Sequence, residues 1–202
     1  MEQLYDRVVK VAKIYISPAR HPEGQNLDVR GKSERSRMLT VGRKLFDALA
    51  TRGFNCMILN DNLSLRKAVN QSNIWGADLH VSLHSNASNG LQSGVETWIH
   101  RNNAGMEKLS QGIILALAEV LSIPARRGSK GWAKRSLIDA PWTAPQRPNG
   151  LYEVEKTNAS AILIELYFHD NEEDCLKWKQ EEDVAVDRIA GEISHYLRGK
   201  GA

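Results

Sequence analysis

The chain has 202 residues, a length typical of one domain. Its composition, 42% hydrophobic and 25% charged, is that of an ordinary globular protein and argues against a disordered or fibrous chain. The net charge of +3 gives no reason to expect a nucleic acid partner. A local basic run between Arg126 and Arg135 could face a polyanion, although such runs more often form a solvated surface.

The N-terminal segment and the cysteines both bear on the cellular compartment. Residues 1–13 carry charged side chains throughout and lack the apolar core of a signal peptide, so synthesis in the cytoplasm is expected. No apolar run is long enough to predict insertion into a membrane. Cys56 and Cys175 show no metal-binding or redox spacing, which favours free thiols, although a disulfide between them stays open.

Hydrophobic periodicity predicts that strands and helices alternate along most of the chain. Strands are expected at 8–17, 54–59, 77–84, 94–99, 151–154 and 160–165. Helices are expected at 33–53, 63–75, 105–121, 172–178 and 183–197, the first with Ser33 as its N-cap. This order predicts an α/β fold, a single-domain sandwich with a mostly parallel twisted sheet and helices on both of its faces.

The stretch 77–87 contains the most informative strand. Leu79, Val81 and Leu83 are expected on one face of this strand, and His80, Ser82 and His84 on the other. The strand delivers His84 into a loop of small polar residues at its carboxyl end. Sites in open α/β sheets lie outside the carboxyl ends of the strands, so this end of the sheet is the expected functional site.

Histidines and carboxylates recur where the predicted strands meet loops. His21 and His84 follow strands, Glu34 opens a helix and Glu165 ends an apolar strand, where an unpaired carboxylate is costly to bury. Two imidazoles and a carboxylate form a ligand set of hydrolytic zinc sites, and a further carboxylate can move protons. The chain has no His-Glu-x-x-His motif, so spacing alone leaves the metal site open.

Motifs over nearly the whole chain add a family resemblance. Two of these motifs are matched by the loop that ends in His21, which corresponds to a histidine loop after the first strand of a known enzyme family, and by Glu34, which corresponds to the glutamate that opens the first helix of that family. The other matching motifs are Ser82-Leu83-His84-Ser85-Asn86-Ala87, Gly94-Val95-Glu96, Arg127-Gly128-Ser129-Lys130, Ile162-Leu163-Ile164-Glu165-Leu166-Tyr167-Phe168 and Asn171-Glu172-Glu173-Asp174. On these residues the chain resembles the zinc-dependent N-acetylmuramoyl-L-alanine amidases of bacterial autolysins and phage endolysins.

The resemblance implies a function and a set of site residues. It implies that residues 1–202 form an amidase catalytic domain that cleaves the bond between N-acetylmuramic acid and L-alanine in peptidoglycan, after release from the cytoplasm. Zn²⁺ would be held by His21, Glu34 and His84, and Glu165 would act as general base and then general acid. Three further residues are candidates either to hydrogen-bond and orient the zinc ligands or to contact the substrate: Glu96, Asn86 and Lys130.

Two departures from the family pattern leave questions open. Arg20 stands where the family has a glycine before the first histidine, and 132–149 resembles an insertion. Within the insertion, Trp132 and Trp142 could stack on glycan as part of a lid, or could simply pack on the surface. Asn86 could bind substrate or shape its turn, and Glu96 could be a strand-edge charge.

Several residues have competing interpretations. Glu23 is an alternative to Glu34 as a ligand, and Glu34 could instead cap its helix. His80 is expected to be packed and hydrogen-bonded, because four residues along a strand separate it from His84 by ~13 Å. The remaining histidines are expected at the surface; they are His100, His169 and His195.

Two other functions stay open from the sequence. A zinc peptidase that cuts within the stem peptide would use the same ligands, with Arg127 and Lys130 available for a peptide carboxylate. A wall-binding module without catalytic activity would have no need for the complete set of histidines and glutamates.

Overall fold

A computed structural model describes residues 11–59, 64–99, 103–126 and 151–199. The elements in chain order are β1 (Lys13–Pro18), α1 (Glu34–Ala50), β2 (Asn55–Ile58), α2 (Leu65–Trp75), β3 (Leu79–Asn86), β4 (Glu96–Ile99), a 3-10 turn (Ala104–Met106), α3 (Glu107–Leu121), α4 (Tyr152–Lys156), β5 (Ser160–Phe168) and α5 (Glu172–Gly199). Among these residues, no helix has both the length and the apolar character needed to cross a membrane.

The five strands form one mostly parallel sheet in the order β2-β1-β3-β5-β4. β1 is parallel to β2 and β3, and β3 is parallel to β5, whereas β4 runs antiparallel to β5 at the edge. The carboxyl ends of β1, β3 and β5 therefore meet at one edge of the sheet. This confirms the predicted α/β sheet and brings the loops after its three central strands together.

Helices cover both faces of the sheet, as predicted. The main core packs α1, α3 and α5 against one face, which includes Leu79, Val81 and Leu83 of β3. On the other face, α2 contributes Ala68 to a cluster around Tyr15, and α4 contributes Val154 to a cluster with Trp98 and Leu163. His80, Ser82 and His84 alternate with the apolar residues of β3, so they lie on the side of α2 and α4.

Helix α1 begins where the capping signal predicts. The Ser33 side chain accepts a hydrogen bond from the backbone N–H of Ser36 at 3.3 Å, which satisfies one of the free N–H groups at the helix start. Four apolar side chains at helical spacing are buried against the sheet: Met38, Val41, Leu45 and Leu49. The cap and the apolar face together fix Glu34 as the first helical residue, at the edge where β3 ends.

The prediction of a strand at 151–154 is wrong, because these residues enter the short helix α4. Leu151 and Val154 lie three residues apart and both pack in the cluster with Trp98. In a strand, residues three apart would face opposite sides of the sheet, whereas in a helix they share a face. A helix of five residues offers too few positions for its periodicity to be visible in the sequence.

The prediction of two closing helices is also wrong, because α5 is continuous from Glu172 to Gly199. The charged residues between the two predicted helices are strong helix formers, and none is Gly or Pro. Trp178 Nε1 donates to Glu182 Oε2 at 2.9 Å across the expected break. Lys44 of α1 reaches Glu182 and Asp183 in the same region, so the charges bind the helix to its neighbour.

Several predictions fall on residues that the structure does not describe. They are the start of the first strand at 8–10, the predicted insertion at 132–149 and the candidate residue Lys130. It accordingly stays a prediction that residues 1–202 form a single catalytic domain in which 132–149 is an insertion.

Candidate metal and catalytic site

The structure brings His21, Glu34 and His84 together at the carboxyl edge of the sheet. Each offers one ligand-type atom, and these three atoms lie within 4.8 Å of one another. His21 comes from the loop after β1, Glu34 from the first turn of α1 and His84 from the carboxyl end of β3. The three elements meet here because β1 and β3 are adjacent parallel strands and α1 follows β1.

The Glu34 carboxylate lies between the two imidazoles. Its Oε1 is 3.2 Å from His84 Nδ1, and its Oε2 is 3.3 Å from His21 Nε2. Glu34 is almost fully buried, and its carboxylate also accepts hydrogen bonds from Ser85 N at 3.0 Å and Asn26 Nδ2 at 2.7 Å. These bonds hold the carboxylate in a fixed orientation toward both rings.

The electrostatics of this cluster favour charged groups. Burial by itself would raise the pKa of Glu34, but hydrogen bonding and charge from His84 outweigh it and lower that pKa to about 2. Burial would lower the pKa of His84, but hydrogen bonds to Glu153 and Glu34 and the charge of Glu165 raise that pKa to about 10. The carboxylates around His84 therefore stabilise positive charge at this position.

The donor set fits a zinc ion. Two imidazole nitrogens and one carboxylate oxygen are a ligand combination of catalytic zinc sites. The side chain of His84 is 18% exposed and that of His21 is 41% exposed, so the cluster opens to solvent on the His21 side. Glu34 was also a candidate for a carboxylate that only caps the start of α1. In the structure both of its oxygens face histidines, one facing His21 and the other His84.

Glu165 lies beside His84 on the neighbouring strand. The Cα atoms of the two residues are partners in the parallel register of β3 and β5, so both side chains leave the same face. Glu165 is half-buried, and its negative charge contributes to the raised pKa of His84. The strand register therefore places Glu165 next to a residue of the ligand cluster.

The other sequence candidates have partners of their own. Glu96 is buried, and it accepts a hydrogen bond from Arg126 Nε at 2.9 Å while its Cα pairs with that of Glu165. Asn86 Oδ1 accepts a hydrogen bond from the backbone N–H of Ala87 at 2.9 Å. This contact favours the interpretation that Asn86 shapes the turn after β3. Lys130 lies outside the described residues.

The alternative ligands behave differently from the three clustered residues. Glu23 is exposed and accepts a hydrogen bond from Ser33 Oγ at 2.5 Å, and it does not belong to the ligand cluster. His80 is fully buried and hydrogen-bonded to Ser72 Oγ at 3.0 Å, in line with the prediction of a packed histidine.

One expectation for the remaining histidines is wrong. His169 is 4% exposed, and its Nδ1 lies 3.0 Å from Ser85 Oγ and 3.1 Å from the Ser85 carbonyl oxygen. It is buried because the chain turns directly after β5 and packs this residue against the end of β3. His195 is exposed as predicted, and His100 lies outside the described residues.

Sequence analysis missed two buried charged residues beneath the site. Glu153 of α4 contacts the polar face of β3. Arg37 of α1 donates to Ser85 Oγ at 3.2 Å, to the Tyr167 hydroxyl at 2.7 Å and to the Asn26 carbonyl at 3.0 Å. Arg37 follows Glu34 by three residues, and this helical spacing on a buried face was the available signal.

Comparison with known proteins identifies the family. The family model described as N-acetylmuramoyl-L-alanine amidase matches residues 14–195. A comparison with curated protein sequences finds no match.

Three solved structures with the same fold illustrate the similarity. Cwp6 from Clostridium difficile is 22% identical with a TM-score of 0.70, and the match covers 94% of this chain and 29% of Cwp6. The catalytic domain of CD27L, an endolysin targeting Clostridia difficile, is 24% identical with a TM-score of 0.65, over 93% and 97% of the two chains. The amidase AmiC2 of Nostoc punctiforme is 16% identical with a TM-score of 0.69, over 94% and 96%. At these identities the structures show the fold, and the family match shows the relationship. The chain therefore belongs to the N-acetylmuramoyl-L-alanine amidase family and is an enzyme of that class.

Proposed function

We propose that the chain uses zinc, held by His21, Glu34 and His84, to hydrolyse the amide between the lactyl group of N-acetylmuramic acid and L-alanine. The observation that carries this proposal is the convergence of the three ligand-type atoms within 4.8 Å at the edge of the sheet. Family membership supports the bond and makes peptidoglycan the partner. The cell wall, reached after release from the cytoplasm, is the proposed site of action.

Hydrogen bonds from neighbouring residues hold the three proposed zinc ligands in position. Glu34 is fixed by Ser85 N and Asn26 Nδ2, and it in turn orients the rings of His84 and His21. Three protein ligands is the number typical of catalytic zinc sites. Zinc bound there would supply a Lewis acid for the scissile carbonyl and would acidify a water molecule.

Glu165 moves the proton in this proposal. Its carboxylate accepts a proton from the attacking water as the new C–O bond forms at the lactyl carbonyl carbon. The same carboxyl group then donates that proton to the alanine nitrogen as the C–N bond breaks. The products are a lactyl carboxyl group and a stem peptide with a free L-alanine amine, so the reaction needs only water.

Metal content is the first test of the proposal. Elemental analysis of the purified wild-type protein is expected to give about one zinc per chain, and the His84→Ala variant is expected to lose it. His195→Ala, at an exposed histidine of α5, is a matched control that should keep its zinc. A wild-type protein that takes up no zinc, even with excess metal, would refute the proposed site.

Product analysis tests the bond that is cleaved. Mass spectrometry of digested cell walls should detect intact stem peptides that begin with L-alanine, together with glycan strands that carry no peptide. Fragments of the stem peptide would indicate a zinc peptidase instead. Binding to walls with no newly released amino groups would indicate a module without catalytic activity.

A further inference from the structure

Glu153 is a buried carboxylate that collects hydrogen bonds from two strands. It is 5% exposed and lies on α4, against the polar face of β3. Its Oε1 accepts a hydrogen bond from Ser17 Oγ and lies 3.2 Å from His80 Nε2. Its Oε2 accepts a hydrogen bond from Ser82 Oγ at 2.7 Å. A carboxylate with this many donors has one well-defined position.

The candidate ligand His84 is another neighbour of this carboxylate. Glu153 Oε2 is 3.8 Å from His84 Nε2, an ion-pair distance that exceeds a normal hydrogen bond. On the other side of the same ring, Nδ1 lies 3.2 Å from Glu34 Oε1. The His84 ring therefore has one nitrogen toward the ligand cluster and the other toward Glu153.

His80 supports the placement of Glu153 from the opposite side. Its Nδ1 lies 3.0 Å from Ser72 Oγ and its Nε2 faces Glu153, while Tyr15 stacks on the ring at 5.2 Å between centroids. Ser72 and His80 are both fully buried. If Ser72 donates to Nδ1, His80 carries its proton on Nε2 and donates it to Glu153. The carboxylate is thus fixed by groups that are not themselves members of the His21, Glu34 and His84 cluster.

We propose that Glu153 is a positioning residue for the metal, which keeps the proton of the His84 ring on Nε2 and so presents Nδ1 to zinc. A ligating histidine commonly directs its second nitrogen to a carboxylate, which sets its tautomer and orientation. Glu153 is the carboxylate that occupies this position, and no sequence motif identified above includes it. The inference rests on the proposed function, because it assumes that His84 is a zinc ligand.

Zinc affinity is the main test, and Glu153→Gln is the variant because it keeps the shape of the side chain. Competition with a chromophoric chelator should show that Glu153→Gln binds zinc about tenfold to a hundredfold more weakly than the wild type. Glu155→Gln is the matched control, since it removes the same charge from a half-buried position on the same short helix. The control should bind zinc as the wild type does.

A second measurement keeps the inference testable if Glu153→Gln does not fold. Long-range ¹H–¹⁵N spectra of the zinc-loaded wild-type protein report which ring nitrogen of His84 carries the proton. The expected result is a protonated Nε2 and a metal-bound Nδ1. A metal-bound Nε2, or an unchanged zinc affinity in a folded Glu153→Gln, would overturn the inference.

The two proposals fail in different ways. If the wild-type protein binds no zinc, the proposed function itself is refuted. If the wild type binds zinc and digests walls but folded Glu153→Gln binds the metal equally well, only the role of Glu153 is refuted. Circular dichroism and thermal unfolding of the metal-free variants identify any loss of zinc that comes from misfolding.

Discussion

His84 and Glu165 are register partners on the adjacent parallel strands β3 and β5, and their side chains share one face of the sheet. The pairing places a half-buried carboxylate beside the candidate ligand, at the edge where Glu34 enters from α1. In the proposed mechanism, one strand thus supplies a zinc ligand and its neighbour the proton-transfer group. Their separation is fixed by the sheet, because neighbouring strands lie about 4.8 Å apart.

We expect Glu165→Gln to separate metal binding from catalysis. The variant keeps the side-chain shape but cannot accept a proton, so turnover on cell walls should fall between about 100-fold and 10,000-fold. Zinc content should stay at the wild-type level, because Glu165 is outside the ligand cluster. Glu173→Gln, at an exposed carboxylate of α5, serves as the control for charge. Wild-type turnover in zinc-loaded Glu165→Gln would contradict the assigned role.

Arg37 ties three segments of the site together, and its loss should be costly. Its guanidinium bonds to Ser85, Tyr167 and the Asn26 carbonyl in a buried position. Arg37→Ala removes these hydrogen bonds and the buried ion pair with Asp28 at 3.7 Å, so the free energy of unfolding should fall by ~2–4 kcal/mol in urea titrations. Arg43→Ala, at an exposed position of the same helix, should change it by less than ~0.5 kcal/mol. Equal effects of the two variants would contradict this account.

The fold was predictable because its signals are local. The alternation around Leu83 and His84 identified both faces of β3, and the Ser33 cap located the start of α1. These patterns depend on residues a few positions apart, which a sequence shows directly. The clustering of His21 and Glu34 with His84 depended on the family resemblance, since no spacing rule connects the three elements.

The missed features depend on contacts between distant segments. Glu153 receives a hydrogen bond from Ser17, 136 residues earlier in the chain, and lies on a helix too short to show a period. His169 was expected at the surface because nothing near it in the sequence indicates its contact with Ser85, 84 residues away. The sequence pattern could place neither side chain, because both positions follow from how the loops and helices cross the sheet.

The burial of His169 should make the stability of the protein depend on pH. Burial and then the charge of Arg37 lower the pKa of His169 below its ordinary value. The unfolded chain therefore takes up a proton near pH ~6.5 that the folded chain does not accept, so this residue destabilises the fold as the pH falls below ~6.5.

The His169→Asn variant isolates this contribution, because its amide nitrogen takes the place of the Nδ1 that contacts Ser85 but cannot be protonated. Urea titrations of the metal-free wild type and variant at pH 5 and pH 8 should show that the wild type loses more stability on acidification than the variant. Other groups titrate equally in the two proteins and cancel in the difference. A difference in unfolding free energy that does not change with pH would refute the assignment.

Gly94, in the Gly-Val-Glu motif, should tolerate no side chain. Its φ of 124° is strained for other residues, and an added Cβ would overlap the Pro124 carbonyl oxygen and the Arg126 side chain. Its N–H also donates to Asp174 Oδ2 at 3.1 Å, which anchors the loop that leads into β4. Gly94→Ala should therefore lower the free energy of unfolding by ~2–4 kcal/mol.

Gly53 provides the comparison for this last prediction. It also has a positive φ, 87°, but a Cβ there would meet no atom within 4 Å. Gly53→Ala should then cost only the conformational part, ~1–2 kcal/mol. Urea titration of the two variants beside the wild type separates strain from overlap. Equal losses would mean that the Pro124 carbonyl moves away freely and that the loop before β4 is not held where Asp174 and Arg126 contact it.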